Sequence, residues 1–200
     1  MPSSCADLQG IGHKLSGFFS VKGAKKMEMV YCNFNANQND IQKWIGYVDV
    51  KSAPVHFYVQ RNSSFFREKT PIPFELAVVN EGNAMNLTSG IFTAPKPGIY
   101  FFSFKGLAFL KSSSYAELTS YLYFNGNRIG SSYVDHQNKS VNQWSPVTLQ
   151  STLNLKKGDQ VWVTINHYGS PSYLHEDDHR YTRYTHFMGW MSEEEIVAAL

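Results

Sequence analysis

The most constraining part of the sequence is the segment from residue 88 to residue 104. It opens with a turn at Gly90 and a short strand, Ile91–Thr93, and then reaches the corner Pro95-Lys-Pro-Gly98. Proline fixes φ and glycine accepts backbone angles that other residues avoid, so the chain must reverse at this corner. The strand that follows is apolar on both faces, with Tyr100, Phe102 and Phe104 on one face and Ile99, Phe101 and Ser103 on the other.

A strand that is apolar on both faces belongs in the middle of a structure, where both faces are covered. Two interpretations are open at this point. In the first, segment 99–104 is a buried strand of a β-sandwich; in the second, one aromatic row faces the core and the other faces a partner subunit. Both interpretations predict a central strand and exclude an edge strand.

Other segments with strand character follow at regular intervals, which is typical of a sandwich. Between two of them, Asn125-Gly126 is a strong hairpin signal because both residues tolerate positive φ. The sequence therefore predicts an all-β, antiparallel fold. Its predicted strands, besides the two above, are Val55–Val59, Pro71–Asn80, Ala116–Phe124, Arg128–Val134, Pro146–Leu155, Gln160–Ile165 and His186–Trp190.

The composition supports this fold class and excludes some functions. Aromatic residues make up 15% of the chain and charged residues only 17%, which favours strands over helices. The net charge is +2 without a long basic run, so we expect no binding to nucleic acid. No apolar run of about 18 residues is present, so we expect no membrane span.

The first 40 residues predict a separate segment. Gly17–Val21 and Met27–Tyr31 resemble two strands of a hairpin around a turn rich in lysine and glycine. A disulfide between Cys5 and Cys32 would stabilise so small a segment by roughly 3.5 kcal/mol. The alternative is a pair of free, buried thiols.

We expect the chain to divide into four parts. Residues 1–40 form the hairpin segment and an asparagine-rich linker, and residues 41–51 form a connector. The connector is a short helix or strand in which Trp44 and Tyr47 pack on the main domain. Residues 52–191 form the main domain, and residues 192–200 form an acidic tail.

The order of several motifs resembles the globular head of complement C1q, a member of the C1q and tumour necrosis factor superfamily. These motifs are the Ser89-Gly-Ile-Phe92 turn, the Pro95–Gly98 corner with its aromatic strand, Asn125-Gly126, Leu155-Lys-Lys-Gly-Asp159 with its following strand, and Phe187-Met-Gly189. The likeness spans about residues 52–191. It implies a ten-strand antiparallel jelly-roll sandwich, preceded here by the disulfide-linked hairpin segment.

The resemblance also implies roles for individual residues. The aromatic residues that it places in the core or in the trimer contact are Phe57, Phe92, Tyr100, Phe102, Phe104, Trp162 and Phe187. Its turn residues are Gly90, Gly98, Asn125, Gly126, Gly158, Asp159 and Gly189. It implies self-assembly as a homotrimer or as a hetero-trimer of the C1q kind. No Gly-X-Y repeat is present, so trimer formation must come from the head or the N-terminal segment.

The N-terminal segment resembles the opening of fibrinogen-type domains. The residues that carry this likeness are Ser16-Gly-Phe-Phe19 and Val30-Tyr-Cys-Asn33. Asn33 departs from the pattern, because aspartate is usual there, and nothing else of a fibrinogen domain follows. The likeness implies a small extracellular adaptor without fibrinogen-like ligand binding.

One group of residues matches a metalloenzyme motif. His175-Glu176-Asp177-Asp178-His179 fits the H-E-x-x-H zinc motif, which requires a helix that places both histidines on one face. The flanking residues show no helical apolar repeat, so we expect a polar loop in place of a zinc hydrolase, and no catalytic residues. We expect no required cofactor. The apical loop residues His175, Glu176, Asp177 and Asp178 are the candidate ligand or metal site, and the oxygen ligands of its three carboxylates would suit calcium.

The resemblance implies a secreted, non-catalytic recognition module that acts in innate-immunity-type recognition of microbial, glycan or protein surfaces. Loops at 111–115, 135–144 and 169–183 are the candidate apical ligand surface. The alternative is a cytokine-like or synaptic-organiser-like ligand that clusters a cell-surface receptor. No signal segment is visible, yet two cysteines and three glycosylation sequons favour an extracellular protein whose signal is missing or whose sequence is truncated. The sequons lie at Asn62, Asn86 and Asn138.

Overall fold

A computed structural model describes residues 1–37, 40–48, 53–177 and 183–195. The chain forms two compact units, which we call the N-terminal unit and the head. The N-terminal unit consists of Met1–Ser52 together with Glu193–Leu200, and the head consists of Ala53–Ser192.

The N-terminal unit contains a short helix and a three-stranded antiparallel sheet in the order β1-β2-β3. The predicted hairpin is β1–β2, with Gly17 opposite Cys32. The third strand comes from the segment that we expected to be a connector, and its Trp44 and Tyr47 rings lie 5.5 Å apart between centroids. The expected packing of these two residues on the main domain stays a prediction. The elements are α1 Cys5–Gly10, β1 Gly17–Lys22, β2 Met27–Cys32 and β3 Gln42–Val48.

The disulfide between Cys5 and Cys32 is confirmed. Both cysteines are fully buried and form a small core with Leu8, Val21 and Val30. Because this core holds only five buried side chains, the covalent link supplies a large share of the stability of the unit.

Helix α1 was not predicted. The Ser4 side chain caps it by accepting a hydrogen bond from the Asp7 amide at 3.1 Å. The Asp7 carboxylate in turn accepts hydrogen bonds from the Ser3 hydroxyl and amide, which lower the pKa of Asp7. A helix of six residues is too short to show the 3.6-residue apolar repeat from which helices are inferred.

The head consists of two antiparallel sheets that enclose one hydrophobic core, so the all-β sandwich is confirmed. The five-stranded sheet has the order β10-β9-β12-β7-β6, and the six-stranded sheet has the order β11-β8-β14-β4-β5 with β13 beside β8. The strands are β4 His56–Gln60, β5 Leu76–Glu81, β6 Met85–Asn86, β7 Ile91–Thr93, β8 Gly98–Leu110, β9 Ser113–Phe124, β10 Asn127–Lys139, β11 Gln143–Leu155, β12 Gln160–Gly169, β13 Ser172–Leu174 and β14 His186–Glu194.

The strands differ from the prediction in their bounds and in their number: most are longer than predicted, and one is shorter. Residues 71–75 are not part of a strand, because Pro71 and Pro73 have no amide to donate to a neighbouring strand. The described part of the head holds eleven strands where ten were expected. β6 and β13 contain only two and three residues, which is too short to show alternation in the sequence.

Strand β8 lies between β11 and β14, away from any sheet edge. Its even-numbered residues are buried, and Tyr100, Phe102 and Phe104 are each at most 1% exposed. Ile99 and Phe101 point to the other face and are half-buried. The prediction of a central strand is therefore confirmed, and the two faces of β8 differ: one forms the core and the other leaves apolar surface.

The core contains a group of stacked and edge-on aromatic rings among its aliphatic side chains. Phe57 contacts Phe92 with ring centroids 5.4 Å apart and Phe187 at 5.1 Å. Each buried ring contributes about 1.5–3 kcal/mol by leaving water. Six of the seven predicted core aromatic residues lie here, namely Phe57, Phe92, Tyr100, Phe102, Phe104 and Phe187. Trp162 does not: it lies on the outer face of β12 and stacks on Tyr123 at 5.4 Å.

We had expected Gly189 to be a turn residue, but it lies inside strand β14. A Cβ atom at this position would lie 2.8 Å from a ring carbon of Phe102 and 2.8 Å from one of Phe57. The glycine is needed because two core rings approach the backbone here. Gly98, also placed among the turn residues, is the first residue of β8.

The remaining predicted turn residues lie in tight turns. Gly90 has φ of +69° and Gly126 has φ of +84°, which glycine adopts without strain. Asn125 braces its hairpin by accepting a hydrogen bond from the Gln160 amide at 2.8 Å. In the next turn, before Gln160, Gly158 has φ of +93° and the Asp159 carboxylate accepts the Lys156 amide at 2.7 Å.

Candidate functional site

One end of the sandwich collects the loops that the sequence nominated for ligand binding. Leu110 pairs with both Gln143 and Ser172, so the ends of β8, β11 and β13 meet. Ser113 pairs with Lys139, which brings the β9 and β10 ends to the same place. We call this the distal end, because the head begins and finishes at the opposite end, where β4 pairs with the Trp190 region of β14.

Backbone hydrogen bonds fix these loops to one another. The Ser112 amide donates to the Asn142 side-chain oxygen at 2.9 Å, which joins the loop 111–112 to the loop 140–142. The Ser170 amide donates to the Tyr115 carbonyl at 3.0 Å. A loop surface that is held in this way loses little entropy when it binds a ligand.

An aromatic row crosses the outer face of the six-stranded sheet at the distal end. Phe66 contacts Tyr173 at 4.3 Å between ring centroids, and Tyr173 contacts Phe109 at 4.8 Å. Phe109 contacts Trp144 at 5.2 Å. Phe66 and Trp144 are 61% and 51% exposed, so the row presents aromatic surface to solvent. Exposed apolar patches of this kind mark interaction sites.

Glu176 has a structural role that the sequence did not indicate. It is only 7% exposed, and its carboxylate accepts hydrogen bonds from the backbone amides of Tyr184 and Thr185. The Glu176 amide also donates to the Ser64 hydroxyl at 3.0 Å. The carboxylate therefore links the two described ends of the segment between β13 and β14, with Glu176 in one and Tyr184 and Thr185 in the other.

The described half of the H-E-x-x-H pattern is not helical, because residues 175–177 have no regular secondary structure. His175 is half-buried beside Trp144, Tyr173 and Tyr184, with its ring stacked 6.0 Å from that of Tyr184. Asp177 is half-buried, and Asp178 and His179 lie outside the described residues. Among the described residues, no three histidine, cysteine or acidic side chains form a group that could hold a metal ion.

A cleft of about 420 Å³ lies beside the row, bordered by Phe65, Phe66 and Arg67. Its floor includes Arg61, which is 4% exposed and pairs with Glu75 at 3.0 Å. Burial lowers the pKa of Arg61, while Glu75 opposes this change. The Arg61 side chain also donates to the Ser63 carbonyl at 2.9 Å, so its role is to shape the cleft. The only sequence signal was a charged residue placed directly after strand β4.

A second apolar surface lies on the outer face of the six-stranded sheet, on strands β4, β8 and β14. The rings of Phe101 and Trp190 lie 4.5 Å apart, and those of Tyr58 and His186 lie 5.5 Å apart. Trp190 is 39% exposed. Burial, and then the nearby charge of Lys105, lower the pKa of His186. Six of the seven aromatic residues nominated from the sequence are buried in the core, so this surface is formed by other side chains.

A family model described as C1q domain matches residues 56–191, more than half of the chain. The chain belongs to the C1q domain family. The resemblance inferred from the sequence is thereby confirmed for the head. The likeness of the N-terminal segment to fibrinogen-type domains lies outside the matched residues and stays a prediction.

Individual C1q relatives agree with this assignment. Complement C1q tumor necrosis factor-related protein 3 of Mus musculus is 29% identical over 134 residues, which are 67% of this chain and 50% of that protein. Complement C1q tumor necrosis factor-related protein 2 of Homo sapiens is 34% identical over 110 residues, 54% of this chain and 35% of that protein. The chain therefore spans half or less of the length of these relatives.

A solved C1q structure shows the same fold. The globular domain of zebrafish complement 1qA protein superimposes with a TM-score of 0.51 at 23% identity, covering 70% of this chain and 99% of that chain. Among the described residues, no helix has the length and apolarity needed to cross a bilayer. The three sequon asparagines within the C1q domain are all exposed at the surface, at Asn62, Asn86 and Asn138.

Proposed function

We propose that this chain is a secreted, non-catalytic recognition module whose C1q domain forms a homotrimer and binds an extracellular protein or glycan at its distal end. The observation that carries this proposal is the division of the head into two surfaces. One sheet has apolar side chains on its outer face, and the distal end presents loops that are joined by hydrogen bonds from backbone amides.

The outer face of the six-stranded sheet supports trimer formation. Phe101 and Trp190 remain partly exposed although they lie on central strands of the sheet. A closed assembly of identical copies would bury this apolar area, and each 100 Å² removed from water would contribute about 2.5 kcal/mol.

The trimer is tested with one variant on each outer face of the head. Phe101→Glu places a charge in the apolar surface, while Tyr133→Glu places a charge on the five-stranded sheet, where Tyr133 is 66% exposed. We expect light scattering to give three times the chain mass for the wild type and for Tyr133→Glu, and a smaller mass for Phe101→Glu. A wild-type protein that is monomeric at micromolar concentration contradicts the proposal.

The recognition surface is tested with a matched pair of tryptophan variants. Trp144 at the distal end is 51% exposed, and Trp44 in strand β3 is 53% exposed, so both substitutions remove a similar exposed ring. Binding of the full chain is measured on arrays of microbial glycans and on cultured cells. We expect saturable binding that weakens in Trp144→Ala and is unchanged in Trp44→Ala.

The same measurement separates the two kinds of function. Glycan binding supports a recognition module, whereas saturable binding to protein receptors on cells without glycan binding supports a ligand that clusters a receptor. Equal loss in both tryptophan variants contradicts the assignment of the distal end. The proposal that the chain is non-catalytic is supported by Glu176, whose carboxylate is already engaged by two backbone amides.

A further inference from the structure

The outer face of the five-stranded sheet carries an unusual number of aromatic side chains. On β9 they occupy three of the five alternating positions from 115 to 123, and cross-strand neighbours on β10 and β12 add to them. Tyr123 is paired with Trp162, and Glu117 is paired with Tyr168. The aromatic residues of this face are Tyr115, Tyr121, Tyr123, Tyr133, Trp162 and Tyr168.

At one end of this face, the protein supplies its own cation. The guanidinium carbon of Arg128 lies 4.2 Å from the ring centroid of Tyr121 and 5.9 Å from that of Tyr123. Its Nε donates to the Tyr123 hydroxyl at 2.8 Å, and the Tyr123 ring stacks on Trp162. The aromatic faces, which carry partial negative charge, are thus satisfied by a positive group.

At the distal end of the same face, the arrangement is built around a carboxylate. The Tyr115 hydroxyl donates to Glu117 at 2.5 Å, and the Thr119 hydroxyl donates to the other oxygen of Glu117 at 2.8 Å. The hydrogen bond to Glu117 raises the pKa of Tyr115 to about 12. These contacts, both from residues of strand β9 itself, hold the carboxylate in place on the face of the strand. The rings of Tyr115 and Tyr168 meet edge to face at 5.9 Å.

A second carboxylate stands directly beside the first. Asp135 on β10 is the cross-strand partner of Glu117, and like charges in this position repel each other. Among the described residues, no lysine, arginine or histidine forms an ion pair with Glu117 or Asp135. Tyr133 and Tyr168, which flank the pair, are 66% and 70% exposed. Two carboxylates and three tyrosine rings therefore lie at least partly open to solvent, and none of the described basic side chains pairs with either carboxylate.

We propose that this group, Tyr115, Glu117, Tyr133, Asp135 and Tyr168, binds an arginine side chain from a basic segment of a partner protein. The inference rests on the proposed function, because the group lies at the distal end. It specifies the chemistry of the partner that this end would bind. Arg128 shows which group this aromatic face accepts, and the paired carboxylates supply the complementary charge that a planar guanidinium can bridge. The face points away from the sheet that forms the proposed trimer contact.

The probe is an acetylated and amidated peptide of alternating arginine and glycine, titrated into the full chain by calorimetry. Peptides of the same length with glutamate or serine in place of arginine are the comparison. The test variant is Glu117→Gln with Asp135→Asn, in which the glutamine oxygen accepts one of the two hydroxyl hydrogen bonds and the glutamine NH2 donates to the oxygen of the other hydroxyl. The control variant is Glu81→Gln with Asp40→Asn, which removes two exposed carboxylates elsewhere and changes the net charge equally.

We expect the arginine peptide alone to bind, and its affinity to fall about tenfold in the test variant and less than twofold in the control variant. Tyr168→Ala lowers the affinity about threefold without unfolding the protein, because the ring is mostly exposed. Binding weakens as salt is added, since the charges are at the surface.

Three results would overturn the inference. The first is an equal loss of affinity for the arginine peptide in the test and control variants, and the second is binding of the serine peptide with the same affinity as the arginine peptide. The third is binding of neutral saccharides that is sensitive to Tyr168→Ala while the arginine peptide does not bind. Light scattering and the tryptophan pair are measured on the same samples. A trimer that binds its ligand through Trp144 but ignores the arginine peptide refutes this inference and leaves the proposed function intact. A monomeric protein that binds the arginine peptide, and binds it more weakly in the Glu117→Gln Asp135→Asn variant, refutes the proposed trimer and leaves this inference intact.

Discussion

Replacing Gly189 with alanine tests how closely the core rings of the six-stranded sheet pack against the backbone of strand β14. Gly189 lies inside β14, and its backbone touches the rings of Phe57 and Phe102. An added Cβ would lie 2.8 Å from each ring and 2.9 Å from the Phe101 carbonyl oxygen. All three distances are below normal van der Waals contact. Both rings sit in the closely packed core, so neither can move aside without disturbing its neighbours.

The magnitude follows from two opposing effects. Overpacking of a core costs about 1–3 kcal/mol. Alanine also restricts the unfolded chain, which offsets about 0.4–1 kcal/mol of this cost. We therefore expect Gly189→Ala to lower the free energy of unfolding by about 1–2 kcal/mol.

Gly130→Ala is the matched control. Gly130 also lies in a strand of the head, and the nearest atom to its added Cβ is the Leu122 Cβ at an ordinary 3.8 Å. Only the effect on the unfolded chain remains, so we expect this variant to be neutral or slightly more stable. Urea unfolding is followed by tryptophan fluorescence at one fixed protein concentration, because association of copies would shift the midpoint. Equal midpoints for the two variants would refute the assignment of Gly189 as a packing residue.

Three further predictions concern the disulfide, the response to pH and glycosylation. Replacing Cys5 and Cys32 with serine should destabilise the N-terminal unit by about 3.5 kcal/mol, seen as faster hydrogen exchange in β1–β3 with unchanged exchange in the head. Burial and Lys105 lower the folded-state pKa of His186 below that of the unfolded chain, so the unfolded state binds more protons as the pH falls through about 6.5. The stability should be full above that pH and decline below it, and His186→Gln should show a smaller decline between pH 7.5 and 5.5 than the wild type. In protein secreted by eukaryotic cells, enzymatic deglycosylation should reduce the mass, and the reduction should shrink with each Asn→Gln substitution at Asn62, Asn86 and Asn138.

Much of the head could be predicted from the sequence because strand signals are local. Alternating apolar residues, the Asn125-Gly126 hairpin and the Pro95–Gly98 corner each act over a few residues, so they can be recognised without knowing what lies opposite. The pairing of Cys5 with Cys32 was equally accessible, since two cysteines allow only one intramolecular bridge. The weak points were short elements, such as α1 and β6, in which periodicity has no room to appear.

The roles of single side chains at the candidate site could not be predicted in the same way. Glu176 belongs to a metal-binding pattern in the sequence, yet the fold brings the amides of Tyr184 and Thr185 to its carboxylate. Trp162 follows the family pattern of a core residue, yet its position in β12 points it to the outer face. In both residues the deciding partners are distant in sequence or on another strand.

The sequence by itself determined the fold class, the central position of β8 and the family of the head, because each depends on the order of residues along one strand or turn. Only the tertiary structure decided which face of β8 is covered, that residues 42–48 complete the N-terminal sheet, and that Glu117 and Asp135 stand side by side on β9 and β10. The reason is that burial and charge proximity depend on strand register between segments, and a register shift of one residue would send each side chain to the opposite face.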